Sequence, residues 1–244
     1  MSVLVAGTLF VASPKALAQM QMPLASTSSG FNVSLAKFFG ANKAFSAQTQ
    51  AVIGAKATRE ISTIPMGFAL LDGKIRMELD LTQIKSKQMT PEAVSMVKQM
   101  GMNRMTTIIS PEEKLMRVVY PSLQAYVELP LSDDQGGELK IETSEVGKET
   151  VESHPCAKRK VVVTDQKGRK QEGFTWNATD LKDFPVKMEF ADTDATITMV
   201  FRDIKLSPPD PKTFEAPAGF TKQPDMQTLM MSVAQKSTGV PASK

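Results

Sequence analysis

Residues that build metal sites, disulfides and catalytic dyads are scarce in this chain of 244 residues, which contains one His, one Cys and one Trp. A single His and a single Cys exclude most multi-ligand zinc sites, and a lone Cys excludes a disulfide within one chain. The charge is nearly balanced, with 29 Lys and Arg against 26 Asp and Glu. That balance argues against a nucleic-acid-binding protein, which usually has a strongly basic domain or stripe. We therefore expect no cofactor, no metal and no nucleic-acid partner.

The motifs of common enzyme classes are missing as well. The sequence has no Gly-x-Ser-x-Gly elbow, no phosphate-binding glycine loop and no His-Glu-x-x-His. The one candidate pair is His154 and Cys156, whose side chains would point the same way on an extended segment. Pro155 between them favours a structural corner over a catalytic pair. We expect that the protein is not an enzyme.

The first 18 residues have the pattern of an export signal. Residues 2–12 are apolar or small, and the Ala-Leu-Ala of residues 16–18 is the small-x-small motif that signal peptidase recognises. The apolar run is shorter than the about 20 residues that a transmembrane helix needs; an N-terminal helix or strand of the fold is the alternative. We expect residues 1–18 to be a cleaved signal peptide, residues 19–31 to be a flexible lead-in, and the mature protein to be periplasmic.

Alternation of apolar and polar residues is the dominant pattern after residue 44. It is clearest over residues 74–81, where Ile, Met and Leu alternate with charged residues, as in a strand with one buried and one solvated face. Asp72-Gly73 just before it suits a tight hairpin, because both residue types tolerate positive φ. Eight to eleven such strands accompany two or three helices, the first of them short and ended by Gly40. This order predicts an α+β fold around one curved antiparallel sheet.

No internal repeat and no linker divides the chain. We therefore expect a single domain over residues 32–234, followed by a disordered tail at residues 235–244.

Two predicted helices carry methionine along one side. The first begins at the N-cap residue Thr90, with Pro91 at its first position, and ends at Gly101; the second covers residues 225–234. Methionine is unbranched and adaptable, so such a stripe suits a ligand of variable shape, although a plain core helix needs the same stripe.

Several short patterns resemble a known family. They are residues 146–151 (VGKETV), 155–156 (PC), 176–181 (WNATDL) and 214–220 (FEAPAGF). With the export signal and the methionine-rich helix midway, they resemble an exported bacterial domain family that is itself similar to the periplasmic lipoprotein carriers of LolA-type fold. The resemblance covers roughly residues 32–231 and implies an incomplete, half-open β-barrel covered by helices. In the carriers, the apolar space between sheet and helices takes lipid or acyl chains; no functional residue of the carriers is matched here.

These patterns favour a non-catalytic periplasmic protein that binds a hydrophobic ligand or an acylated protein. The alternative is an envelope sensor or scaffold that binds a partner protein through the same fold. A basic cluster at residues 158–160 and 167–170 predicts either a peripheral contact with an anionic membrane surface or a solvated, charge-protected edge. The predicted ligand-binding residues are Met77, Leu79, Met96, Val97, Met100, Met226, Leu229 and Met230.

Overall fold

The computed structural model describes residues 35–131, 140–164, 168–191 and 193–238. The predicted signal peptide and lead-in, and residues 239–244 of the predicted tail, lie outside the described residues. The strands are β1 (Ala44–Ala55), β2 (Ile61–Leu71), β3 (Lys74–Asp80), β4 (Arg104–Ser110), β5 (Leu115–Tyr120), β6 (Ala125–Pro130), β7 (Lys140–Val151), β8 (His154–Thr164), β9 (Lys170–Ala178), β10 (Phe184–Ala191), β11 (Ala195–Lys205) and β12 (Thr221–Gln223).

Two α-helices accompany these strands, α1 (Pro91–Gln99) and α2 (Met226–Thr238). Shorter 3-10 turns lie at Leu35–Phe39, Leu81–Gln83, Pro121–Leu123 and Pro211–Phe214. Helix α2 continues four residues past its predicted end at residue 234. Within the described ranges, neither helix has the length and apolar character that crossing a bilayer requires.

In the part of the chain that the structure describes, twelve strands form one curved sheet that does not close. Their order is β12-β6-β5-β4-β3-β2-β1-β11-β10-β9-β8-β7. Neighbouring strands are antiparallel, except that β12 runs parallel to β6. The sheet with its two helices confirms the predicted α+β, half-open barrel.

The inner face of the sheet, defined here as the face that bears the alternating apolar residues, carries a core of phenylalanines. The Leu35–Phe39 turn inserts into it, and Phe39 is 1% exposed. The ring centroid of Phe39 lies 4.5 Å from that of Phe45 and 5.4 Å from those of Phe184 and Phe201. Edge-to-face and tilted pairs of this kind add to the free energy gained by burial. This core packs against β1, β11 and β10, which lie in the middle of the sheet.

The opposite, outer face is crossed by a strap, residues 206–220, that connects β11 to β12. Phe214 of the strap is 1% exposed and packs with Ile108 and Val119. The last residue of the strap, Phe220, is partly buried and packs against this small cluster. The phenylalanines of the FEAPAGF pattern therefore anchor the strap to the sheet.

After the strap, the backbone N–H of Thr221 donates to the carbonyl of Gln124 at 2.8 Å, which starts β12 alongside β6. This short parallel pairing places the following helix, α2, at the β6 side of the sheet.

Candidate functional site

A second apolar cluster lies beside the phenylalanine core, where β5 and β6 meet the helices. We call it the methionine cluster, because six methionines contribute to it. Its members are Met100, Met102, Met105, Met116, Met226 and Met230, with Val118, Tyr120, Leu123, Ala125, Val127, Leu129 and Leu229. Met102 is buried, whereas the other five methionines are only partly buried. Partly buried, adaptable side chains are suited to repacking around a guest molecule.

The strands supply a floor of short residues for this cluster. Val118 of β5 and Val127 of β6 are directly paired, and Val118 also faces Thr107 of β4. Thr107 in turn faces Met77 of β3, so the floor continues on the same face into the phenylalanine core. Met105 and Met116 pack against both clusters.

Helix α2 covers the cluster with one side only. Leu229 is 1% exposed and Val233 is 5% exposed, whereas Met231 is 51% exposed. This division follows from the helical period, since residues 229 and 233 are one turn apart. The Asp225 carboxylate accepts a hydrogen bond from the Thr228 backbone N–H at 2.6 Å and caps the first turn.

One polar contact joins the sheet to α2 at the cluster. The Tyr120 hydroxyl donates to the sulfur of Met226 at 3.9 Å, a weak hydrogen bond. Burial raises the pKa of Tyr120, so the hydroxyl keeps its proton at neutral pH.

The residues that follow helix α1, Met100 and Met102, also belong to the cluster. The Thr90 hydroxyl accepts from the Ala93 backbone N–H at 3.3 Å, as its predicted capping role requires. Gly101 has a φ of +67°, and a Cβ there would lie 3.0 Å from the Leu123 side chain, which explains the glycine at the end of the helix. The next residue, Met102, is buried in the cluster.

The structure brings four of the eight predicted ligand-binding residues together in the methionine cluster. These are Met100, Met226, Leu229 and Met230.

The other four lie elsewhere. Met77 and Leu79 belong to the phenylalanine core on the same face of the sheet. Val97 is buried but is not a member of the methionine cluster, and Met96 is 36% exposed.

Sequence reasoning missed Met102, Met105 and Met116. Met105 lies between polar neighbours in β4, and this pattern could have placed it on the inner face. Met116 follows Leu115 in the mostly apolar strand β5, so it had no clear alternation. Met102 follows Gly101 outside any periodic element and carried no such signal.

His154 and Cys156 do not form a side-chain pair. The Cys156 thiol donates to the backbone carbonyl of His154 at 3.3 Å, while the His154 ring lies 2.8 Å from the Asp180 carboxylate. Burial raises the pKa of the Cys156 thiol, which disfavours the reactive thiolate. The hydrogen bond from His154 lowers the pKa of Asp180. The geometry is that of a structural corner.

Three residues of the basic cluster form salt bridges in the structure. Lys158 pairs with Glu149 at 2.8 Å, and Arg159 pairs with Asp183 at 2.6 Å. Lys160 pairs with a glutamate of β9 at 2.8 Å. Strand β8, which carries these residues, lies between β7 and β9, so it is not the edge strand that a charge-protected edge implies. Residue 167 lies outside the described residues.

Comparisons with known proteins give structural matches only. No protein-family model matches the chain, and no curated protein matches it. Among solved structures, it is similar to Mycobacterium tuberculosis lipoprotein LppX, with 8% identity and a TM-score of 0.41, covering 82% of this chain and 99% of that one. A LolA superfamily protein from Nitrosomonas europaea matches with 9% identity, a TM-score of 0.35, and coverage of 76% and 97%. LprF from Mycobacterium bovis matches with 10% identity, a TM-score of 0.34, and coverage of 75% and 96%.

The names of these matches include the superfamily that the sequence patterns resemble. With TM-scores of 0.41 and below, they carry no argument about the ligand or the function.

Proposed function

We propose that this chain is a non-catalytic, extracytoplasmic binding protein for a hydrophobic ligand, such as a lipid or the acyl chain of an acylated protein. The proposed site is the methionine cluster, between the inner face of the sheet and α2. The observation that carries the proposal is the gathering of six methionines, five of them partly exposed, beside the phenylalanine core.

The physical basis is the difference between the two clusters. The phenylalanine rings pack against one another at fixed angles and are almost fully buried, so that region resists insertion. Methionine side chains have three rotatable bonds and can move aside at small cost. Burying ten methylenes of an acyl chain would contribute about 8 kcal/mol, at about 0.8 kcal/mol each. Part of that is offset by ordering the ligand and moving α2.

Helix α2 is suited to act as the cover. Its contact with the sheet is mainly apolar, through Leu229 and the cluster methionines, and the bond from Tyr120 to Met226 is weak. An apolar guest can replace such contacts without leaving a buried polar group unpaired.

The test is a fluorescence titration of the delipidated full chain with cis-parinaric acid. We expect saturable binding by the unaltered chain, and binding weakened at least fivefold in the double variant M226Q/M230Q, because two amide groups would face the acyl chain. The matched control is M231Q on the exposed side of α2, which should bind like the unaltered chain. Equal affinity in all three proteins, or no binding, would overturn the proposal.

The alternative is an envelope scaffold that binds a partner protein. The close packing of Phe39 in the inner face favours it, since there the half-barrel is filled by its own side chains. Cross-linking in the intact cell envelope, followed by purification, separates the two proposals: a single protein partner without extractable lipid supports the scaffold. Mass spectrometry of the mature N-terminus in the same material tests cleavage after residue 18.

A further inference from the structure

A polar cleft of about 530 Å³ lies on the outer face of the sheet, on the side opposite to the inner-face core. It is bounded by β11, β1, β2 and β3 and by Thr213 of the strap. The polar side chains around it are Ser46, Gln48, Arg76, Glu78, Asp203, Lys205 and Thr213.

A β-bulge between β1 and β11 shapes one wall of this cleft. Phe201 faces Thr49, whereas Lys205 faces Ser46, and the pairing shifts by one residue between these points. Residues four apart in a regular strand point to the same face, so Lys205 would join Phe201 in the core. The bulge reverses the alternation and brings Lys205, together with Asp203, to the outer face.

Asp203 adopts the left-handed conformation at the bulge, with a φ of +50°. Aspartate tolerates this conformation better than most residues, although it still carries a cost. The backbone is thus held in an uncommon conformation at the position that places this carboxylate in the cleft.

In the floor of the cleft, β2 has a glycine, which leaves room for the Glu78 side chain. Gly67 pairs with Gln48 on one side and Glu78 on the other, and a Cβ at this position would lie 3.4 Å from the Glu78 carboxylate. The Glu78 Oε1 accepts two hydrogen bonds from Arg76, at 2.6 and 2.8 Å. Arg76 also donates to the Thr213 carbonyl at 2.6 Å, so its guanidinium holds the strap in place.

Two charges in the cleft are left for a ligand. Within the described residues, neither the Asp203 carboxylate nor the Lys205 ammonium makes a salt bridge or a side-chain hydrogen bond. The neighbouring Arg202 attracts Asp203 electrostatically, but it is bound through two nitrogens to Glu152, at 2.7 and 2.8 Å.

We propose that this cleft binds a small zwitterion. The ammonium group of the ligand lies at the Asp203 carboxylate and the free Oε2 of Glu78, and its anionic group lies at the Lys205 ammonium. The Gln48 amide and the Ser46 hydroxyl offer further hydrogen bonds to the anionic end. The four charged side chains of the cleft, Arg76, Glu78, Asp203 and Lys205, sum to zero charge, so a ligand that carries one charge of each sign is favoured over a simple cation or anion.

The test is an NMR titration of the isotope-labelled full chain with two zwitterions, glycylglycine and glycerophosphoethanolamine, whose phosphodiester carries a single negative charge. We expect saturable shifts at the amides of Ser46, Gln48 and Gly67. D203N keeps a residue that tolerates positive φ while removing the charge, and K205Q removes the ammonium; each should weaken binding at least fivefold. The matched control is K98Q on α1, which should leave affinity unchanged.

The pattern of results decides between outcomes. Saturation by glycerophosphoethanolamine alone supports a phosphate-bearing ligand, and saturation by glycylglycine alone supports a carboxylate-bearing one. Vesicles of phosphatidylethanolamine that co-sediment with the chain in a Lys205-dependent way identify a lipid headgroup as the source. Equal shifts with uncharged N-acetylglycinamide, or no shifts with either zwitterion, would overturn the proposal. Because the cleft and the methionine cluster lie on opposite faces, failure here leaves the parinaric acid result standing.

Discussion

Replacing Phe39 by Ala tests whether the Leu35–Phe39 turn is an integral part of the core. The Phe39 ring is 1% exposed and meets four other phenylalanine rings, those of Phe45, Phe68, Phe184 and Phe201. Truncating a buried phenylalanine to alanine removes its transfer free energy and leaves a cavity, which costs about 3–5 kcal/mol. In a domain of this size, each kcal/mol of lost stability lowers the Tm by about 2–4 °C, so F39A should lower the Tm by roughly 6–20 °C.

The assay is urea unfolding of the full chain, monitored by circular dichroism. The control is F38A at the adjacent position, where the ring is only partly buried and contacts Phe190 at its edge, at a centroid distance of 5.1 Å. We expect about 1–2 kcal/mol for that change. A loss below about 1 kcal/mol for F39A, or equal losses for the two variants, would refute docking of the turn in the inner face.

Two further predictions concern charge and redox chemistry. Hydrogen bonds from Lys222 and Arg117 lower the pKa of Glu128, so the stability that this carboxylate contributes is present above about pH 4.5 and is lost as the pH falls through the lowered pKa. In urea titrations, the free energy of unfolding of E128Q should be lower than that of the unaltered chain by about 1 kcal/mol at pH 7, and by less at pH 3. The control E142Q removes a carboxylate from an exposed pair and should leave the stability unchanged at both pH values. An E128Q difference of the same size at both pH values would contradict this prediction. Cys156 is buried with a raised pKa, so dithionitrobenzoate should label it far more slowly in the native protein than in denaturant, and fast native labelling would contradict the structure.

Elements with a strong local signal could be predicted from the sequence. Asp72 and Gly73 have φ values of +46° and +85°, as their hairpin requires. The alternation in residues 74–80 gave β3 its buried and solvated faces, and Thr90 caps α1. In each case, the residues that specify the element are neighbours in the chain.

Features that depend on distant contacts could not be predicted. The β7–β8 turn uses Glu152 and Ser153 at positive φ without a glycine, and Glu152 is held by Arg202 from β11, 50 residues away. The methionine cluster depends on the parallel pairing of β12 with β6, which brings α2 next to Val127. No periodic pattern in a single segment encodes that pairing, so only part of the predicted site came together.

A photoactivatable fatty acid tests the central proposal most directly. The purified full chain is irradiated with a diazirine-bearing palmitate and digested, and the labelled peptides are identified by mass spectrometry. The proposed site predicts cross-links in the peptides that carry Met100, Met102, Met226 and Met230, and their loss when excess unlabelled palmitate competes. Cross-links confined to the outer face, or labelling that competitor does not reduce, would contradict a ligand held under α2.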